Sequence, residues 1–465
     1  MPKLGLISLG CAKNLVDSEH MLSLMRDAGW EITEDMSEAD VGVVNTCGFI
    51  EAAKTEAIET ILETAQYKQT GRMKGLVVTG CLVQRYADEM RRELPEIDVF
   101  CGTGSYDNIV DAATAALRGE QAAYMADMTA AALDGGRSRL TPSYTAYFKI
   151  AEGCSNTCAY CIIPKLRGRY RSREMASLLE EARALSDAGV KELIVIAQDI
   201  TKYGMDLPEH KRLLPELLRE LCKLDFTWIR LHYLYPDQIT DELIDVIAEE
   251  PKIVKYLDIP LQHVSKRILR AMHRPGDGAE FTALIEDMRR RIPGLVLRTS
   301  LIVGLPGETD DEFAELCEFL QNAAIERVGV FAVRLLPPLS ARIEVILPRP
   351  VPHAVLERPQ AKTRRIHRPV VAGYVPLFAA FRRFPHHFRR EKVVNPTFRL
   401  RPLSENKPPV EHPCVQLLIP LPDLRRQGGV VLHGKVEPQT VPLLRLQNPR
   451  PVKPMPRPGR VAVEP

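Results

Sequence analysis

The sequence predicts an α/β protein: an N-terminal doubly wound parallel sheet, then an open (β/α)6 partial barrel, then an atypical, irregular tail. Three observations predict it. Short apolar runs alternate with amphipathic segments of helical length from residue 3 to residue 333. Glycines stop several of those segments. Cysteines fall just beyond the apolar runs, where a parallel sheet presents the carboxyl ends of its strands.

In the first third, residues 3–9 read as a buried strand. A helix from Asn14 to Ala28 follows, with Leu15, Leu22 and Met25 on one face and Gly29 as its stop. Residues 41–45 are a second strand. The helix from about Ile50 points Ile58, Ile61 and Leu62 inward. Residues 75–79 are a third strand, and 97–100 a fourth. Cys11, Cys47 and Cys81 each follow a strand, 36 and 34 residues apart. Such thiols can converge on one edge as a three-thiolate cluster site. The alternative is three buried cysteines acting as small hydrophobes. Cys101 also follows a strand and weakens the pattern. Cys222, Cys317 and Cys414 lack partners and read as structural.

From about Leu140 to Val333 strands are expected at 145–150, 192–197, 228–233, 255–259, 295–302 and 328–333. The intervening helices include 175–188, with Leu178, Leu179, Ala182 and Leu185 inward and Gly189 as stop. The motif Cys154-x3-Cys158-x2-Cys161 follows the first of these strands. Three thiolates leave one iron of a four-iron cluster open to a ligand. A zinc site is the alternative, but zinc usually takes four ligands from paired knuckles and no second knuckle is near. Gln198, Asp199, His232, Asp258, Gln262, His263 and Arg298 fall at other strand ends on the same edge. In Ile302-Val303-Gly304-Leu305-Pro306-Gly307-Glu308, the glycines would admit a ligand close to the backbone, or simply form a tight loop. Lys165, Arg167, Arg169, Arg171 and Arg173 alternate along one segment. If extended, they would share one side and grip phosphate or an acidic surface; otherwise they belong to a solvated loop.

Composition bounds the rest. The chain has 465 residues, 26% charged and 45% hydrophobic, as in soluble globular proteins. No apolar run approaches a membrane helix, and Met1 to Gly5 lacks a signal peptide's pattern, so a cytosolic protein is expected. Ten cysteines in such a chain point to metal ligation or catalysis rather than disulfides. The net charge of +2 divides sharply. Residues 1–333 carry 38 Lys/Arg and 52 Asp/Glu, and residues 334–465 carry 24 and 8. The latter stretch also holds 24 of the 36 prolines. Domains are therefore placed at 1–125 and 140–333, with a linker at 126–139 and the tail from 334.

Two three-cysteine sets in this order resemble the methylthiotransferases, a subgroup of the radical S-adenosylmethionine (SAM) enzymes. The signature residues include Tyr160 just before Cys161. Ser8-Leu9-Gly10-Cys11-Ala12-Lys13-Asn14, Asn45-Thr46-Cys47-Gly48 and Glu152-Gly153-Cys154 through Pro164 look like the RimO type, which modifies small-subunit ribosomal protein twelve. The sister MiaB type, which modifies tRNA adenosine, has Gln-Met-Asn where this chain has Ala12-Lys13-Asn14.

The resemblance covers about residues 3–333 and implies two 4Fe-4S clusters and SAM as cofactors. Cys154, Cys158 and Cys161 would be the catalytic set, holding the SAM-cleaving cluster. Cys11, Cys47 and Cys81 would hold an auxiliary cluster bearing the donated sulfur. Tyr160, Gln198, Asp199, Arg298, Gly304 and Gly307 are the expected cofactor-binding residues. One SAM would donate a methyl group to sulfur. Another would be cleaved to a 5′-deoxyadenosyl radical that takes hydrogen from the β-carbon of an aspartate. A donor such as flavodoxin or ferredoxin would supply the electron, and basic segments offer RNA contact.

The family pattern should continue into a small β-barrel TRAM domain, but residues 334–465 show no sustained period. Out-of-frame translation starting near codon 333 is the expected origin of this tail, with a basic disordered arm as the alternative. His386-His387 within it reads as incidental. A tRNA-modifying enzyme, or a non-enzymatic iron–sulfur or zinc scaffold impaired by its C-terminus, are the rival functions.

Overall fold

The computed structural model describes residues 1–129 and 134–333, all within one unit of the chain. The readings placed on residues 334–465, including Cys414 and His386-His387, lie outside the described residues, as do four residues of the expected linker.

The first sheet has six parallel strands: β1 (Lys3–Ser8), β2 (Glu31–Thr33), β3 (Val41–Thr46), β4 (Gly75–Gly80), β5 (Val99–Cys101) and β6 (Ala122–Tyr124). Their spatial order is 2-1-3-4-5-6. The doubly wound expectation is met, because alternate residues serve opposite faces. Val41, Val43 and Val77 pack against Met21, Leu22 and Met25 on one side. Val44, Leu76 and Val78 pack against Ile58 and Ile61 on the other. Edge strands β2 and β6 were not anticipated. Each is three residues long and half exposed, too short for an apolar run to announce it.

The second half holds β7 (Thr145–Lys149), β8 (Ala151–Glu152), β9 (Arg171–Ser172), β10 (Glu192–Ile196), β11 (Trp228–Leu231), β12 (Ile253–Asp258), β13 (Val296–Val303) and β14 (Arg327–Ala332). Six of these form one parallel sheet in the order 7-10-11-12-13-14. Sequential order with a crossover at each step is the open (β/α)6 arrangement, and one continuous core underlies it. Strands β8 and β9 pair antiparallel as a separate clip that joins the two ends of the cysteine loop.

The alternating basic run departs from its extended-stripe expectation. Ile163–Arg167 is a short helix, which rotates successive side chains away from one another. Arg167 and Arg173 are buried in ion pairs, and Arg171 donates to the Thr129 and Met128 carbonyls. The segment clamps the fold together instead of presenting one basic face.

The helix Ala12–Asp27 bridges the two sheets. One side buries Met21, Leu22 and Met25 against the first sheet. The other places Val16 against Ile194 and Ile196 of β10. It also buries Lys13, Asn14, Asp17, Ser18 and Glu19, residues that sequence would leave in solvent. Glu19 accepts from Arg137 of the expected linker, whose Nη1 also lies 2.6 Å from Glu181 of the barrel. Among the described residues no helix is long and apolar enough to cross a membrane.

Candidate functional site

Strands β1, β3 and β4 are neighbours, so Cys11, Cys47 and Cys81 follow three adjacent strand ends. Tight backbone draws the ends together. Gly10 has φ +88°, and a Cβ there would lie 2.7 Å from the Cys47 Cβ. At Gly48 a Cβ would lie 2.8 Å from the Leu82 Cα and 3.1 Å from the Cys81 carbonyl carbon. Asn14 stitches the cluster: its Nδ2 donates to the Leu9 and Thr46 carbonyls at 3.1 and 2.8 Å, and its Oδ1 lies 3.9 Å from Cys81 Sγ. The thiols are near enough that charge on Cys11 and Cys47 acts on Cys81. Burial pushes the Cys81 thiol up to about 11, while Arg167 opposes the rise. Cys101 is the last residue of β5, and its thiol donates to the Ser105 carbonyl at 3.0 Å.

The second set lies in the loop between β8 and the helix Ile163–Arg167. Gly153 has φ +74°, with the Arg169 carbonyl where a Cβ would be. The Cys154 amide donates to the Gly168 carbonyl at 3.1 Å, and the Cys161 amide to the Cys158 carbonyl at 3.0 Å. The barrel holds the loop's outer limb: the Ala159 amide donates to the Met272 carbonyl, and His273 Nδ1 lies 3.0 Å from the Thr157 carbonyl. Cys158 Sγ lies 3.9 Å from the Tyr235 hydroxyl, and Arg274 stacks 4.2 Å from that ring's centre. Burial pushes the Cys161 thiol up to about 11.

Each set offers three thiols and a nearby arginine, Arg167 for the first and Arg274 for the second. Thiolates with a compensating cation suit an anionic iron–sulfur cluster, and a set of three leaves room for an outside ligand. The donor chemistry therefore fits. Among the described residues no three His, Cys, Asp or Glu side chains crowd onto one point as the ligands of a single ion would.

The remaining expected residues divide. Tyr160 packs on Ile268, Met272 and Ile302, beside Cys158. Gln198 donates to Glu152 at 2.9 Å, leaving its own buried Oε1 without a partner. Asp199 caps the turn Ile200–Lys202 through Oδ1, Tyr170 donates to its carbonyl, and the Asn156 side chain faces its carboxylate. Arg298 donates to Asp258 at 2.9 Å. Gly304 and Gly307 have φ +74° and +84°, and the Gly307 carbonyl accepts from Arg267 at 2.6 Å. His263 is engaged by the Ser265 amide and Glu308, an internal role. His232 is half-buried, and burial with the charges of Arg230, Arg298 and Lys13 holds it at about 4. Gln262 and Tyr233, in the loops after β12 and β11, take positive φ of 73° and 68°.

Two features were missed. One is a buried ionic network: Lys149 donates to Asp17 at 2.6 Å and Glu152 at 2.9 Å, and Arg167 to the same two at 2.7 and 3.0 Å. Burial would raise the Glu152 pKa, but Lys149 and Arg167 hold it well below the usual carboxylate range. The second is Lys13, 7% exposed, whose Nζ lies 3.4 Å from the Tyr233 ring centre. Its sequence signal was slight: a lysine two residues beyond a cysteine. Burial lowers the Lys13 pKa, against the opposing charges of Cys11, Glu152 and Asp258.

Residues 3–102 match the model of the uncharacterized protein family UPF0004, and residues 148–320 match that of the radical SAM superfamily. The chain is 51% identical over 333 residues to the ribosomal protein uS12 methylthiotransferase RimO of Symbiobacterium thermophilum, covering 71% of this chain and 68% of that protein. It is 53% identical over 331 residues to the protein of the same name from Lachnoclostridium phytofermentans, covering 71% and 75%. Among solved structures it resembles the radical SAM methyltransferase TsrM of Kitasatospora setae, with a TM-score of 0.56 and 15% identity, over 74% of this chain and 76% of that one. At that identity the likeness concerns the fold.

Proposed function

The chain belongs to the RimO family of radical SAM methylthiotransferases, and from that premise we propose that it methylthiolates the β-carbon of an aspartate in small-subunit ribosomal protein twelve, using two 4Fe-4S clusters. The observation that supports the two-cluster reading is that Cys11, Cys47 and Cys81 follow the ends of three adjacent strands, β1, β3 and β4.

Cys154, Cys158 and Cys161 would hold one cluster and Cys11, Cys47 and Cys81 the other; together with SAM they would supply a radical able to break an unactivated C–H bond and the sulfur that replaces the hydrogen. The protein's own part is placement and exclusion. The β8–β9 clip and the Ala159 and Thr157 contacts fix the cysteine loop at the barrel mouth. Arg274 and Arg167 set positive charge beside buried thiols, which favours their thiolate forms. The unpartnered Oε1 of Gln198 would accept from a bound cofactor. An electron donor such as flavodoxin or ferredoxin completes the requirement.

Iron and sulfide content of the anaerobically reconstituted chain tests the reading. About eight irons are expected, falling to about four when Cys11, Cys47 and Cys81 are all replaced by Ala. About four in the unaltered chain would sink the two-cluster claim. Mass spectrometry of ribosomal protein and of tRNA from a deletion strain tests the target: a methylthio group lost from tRNA instead would reassign the substrate.

A further inference from the structure

Lys13 lies on the first turn of the helix Ala12–Asp27 and faces the barrel. Its ammonium rests on the Tyr233 ring at 3.4 Å, and among the described residues no carboxylate stands within ion-pair distance of it. Cys11, Glu152 and Asp258 act on it only from beyond ion-pair contact, and a ring face offsets only part of the cost of burying a charge so placed. The surface beneath it is built at a further cost. Tyr233, two residues past β11, holds a left-handed backbone, φ 68°, and so does Gln262 in the loop four residues past β12, φ 73°. Such strain in non-glycine residues collects at functional sites. Asp258, at the end of β12, gives one oxygen to Arg298 and buries the other without a partner. The mouth between Cys11 and β11–β13 thus brings the cations of Lys13 and Arg298 toward Asp258, a carboxylate that already serves Arg298.

Resting on the function proposed above, we propose that Lys13 determines substrate specificity by receiving a carboxylate, that of the target aspartate side chain. A carboxylate received by Lys13 would hold the carbon next to it beside Cys11 and the strand ends of the barrel, where the proposed chemistry replaces hydrogen by sulfur. A nucleobase brings no carboxylate, so Lys13 also separates protein from RNA substrates. The carboxylate of SAM's amino-acid portion has the same chemistry, and the test distinguishes the two.

The full chain, reconstituted anaerobically, is compared as wild type, Lys13→Met and Lys13→Arg. Binding of two fluorescent peptides from the target loop, one with Asp and one with Asn at the modified position, is read by anisotropy. Wild type is expected to prefer the Asp peptide by about tenfold or more. Lys13→Met should bring the two affinities together, and Lys13→Arg should restore most of the preference. An Asp preference retained in Lys13→Met overturns the assignment. So does a loss confined to SAM affinity, measured by calorimetry, because the carboxylate is then the cofactor's. Loss of about half the iron in Lys13→Met overturns it too, by making the lysine a counter-charge of the metal centre. If wild type shows no preference, the protein-substrate reading falls along with Lys13; if wild type discriminates and the variant still does, only Lys13 falls.

Discussion

Arg167, six residues beyond the last cysteine of the barrel loop, donates to Asp17 of the first helix across 2.7 Å, with both side chains buried. The same guanidinium reaches Glu152, Asn14 and Cys81. One residue thus ties the loop carrying the second cysteine set to the elements carrying the first. Replacing it by Met strands Asp17 beside Lys149 with half its compensation. Removal of one partner from a buried ionic group costs about 3–5 kcal/mol. Arg167→Met should lower the thermal midpoint by several degrees and reduce iron at the first set more than at the second, read by calorimetry and metal analysis.

The network also sets a pH window. Glu152 has its pKa lowered on folding from the ordinary 4.5, so its stabilisation is complete above that value and lost as pH falls below it. Burial works against the Lys149 charge, but Asp17 and Glu152 raise its pKa above 10.5, so its share is complete below that value and lost as pH rises past the folded one. Stability from this network should be flat between about 4.5 and 10.5. Thermal midpoints against pH should show a steep acid limb in wild type and a shallower one in Glu152→Gln.

Gly10 tests how the first set is assembled. With φ +88° and a Cβ position 2.7 Å from that of Cys47, it admits no side chain without moving a cysteine. Gly10→Ala should leave 5′-deoxyadenosine formation under dithionite measurable while removing about half of the bound iron. Full iron content in that variant would show the two loops to be independent.

Ala324 ends the helix Asp310–Ala323 in a left-handed conformation, φ 47°, on an exposed loop. Glycine takes this conformation without penalty. Ala324→Gly should stabilise the chain by about 0.5–1 kcal/mol, seen as a higher thermal midpoint with SAM cleavage unaffected.

The strands were legible because apolar runs of four to eight residues punctuated by glycine have few other interpretations. β3 and β4 are buried along their whole length and read as continuous Val-rich segments. The short edges β2 and β6 were not legible, since three half-exposed residues carry no pattern. The basic run from Lys165 to Arg173 was misread for a different reason. Charge spacing alone does not say whether carboxylates wait across an interface, and Asp17, Glu152 and Glu181 all do.

The sequence by itself determined the two three-cysteine sets, their place after strands and the two-part α/β order, because these depend on local period and spacing. Only the tertiary structure decided that β1, β3 and β4 are neighbours, that Asn14 joins their ends, and that Lys13 turns inward onto Tyr233. Those facts arise where a helix is buried from both sides. A polar residue's partner then comes from beside the other sheet, more than a hundred positions away, and no local pattern encodes it.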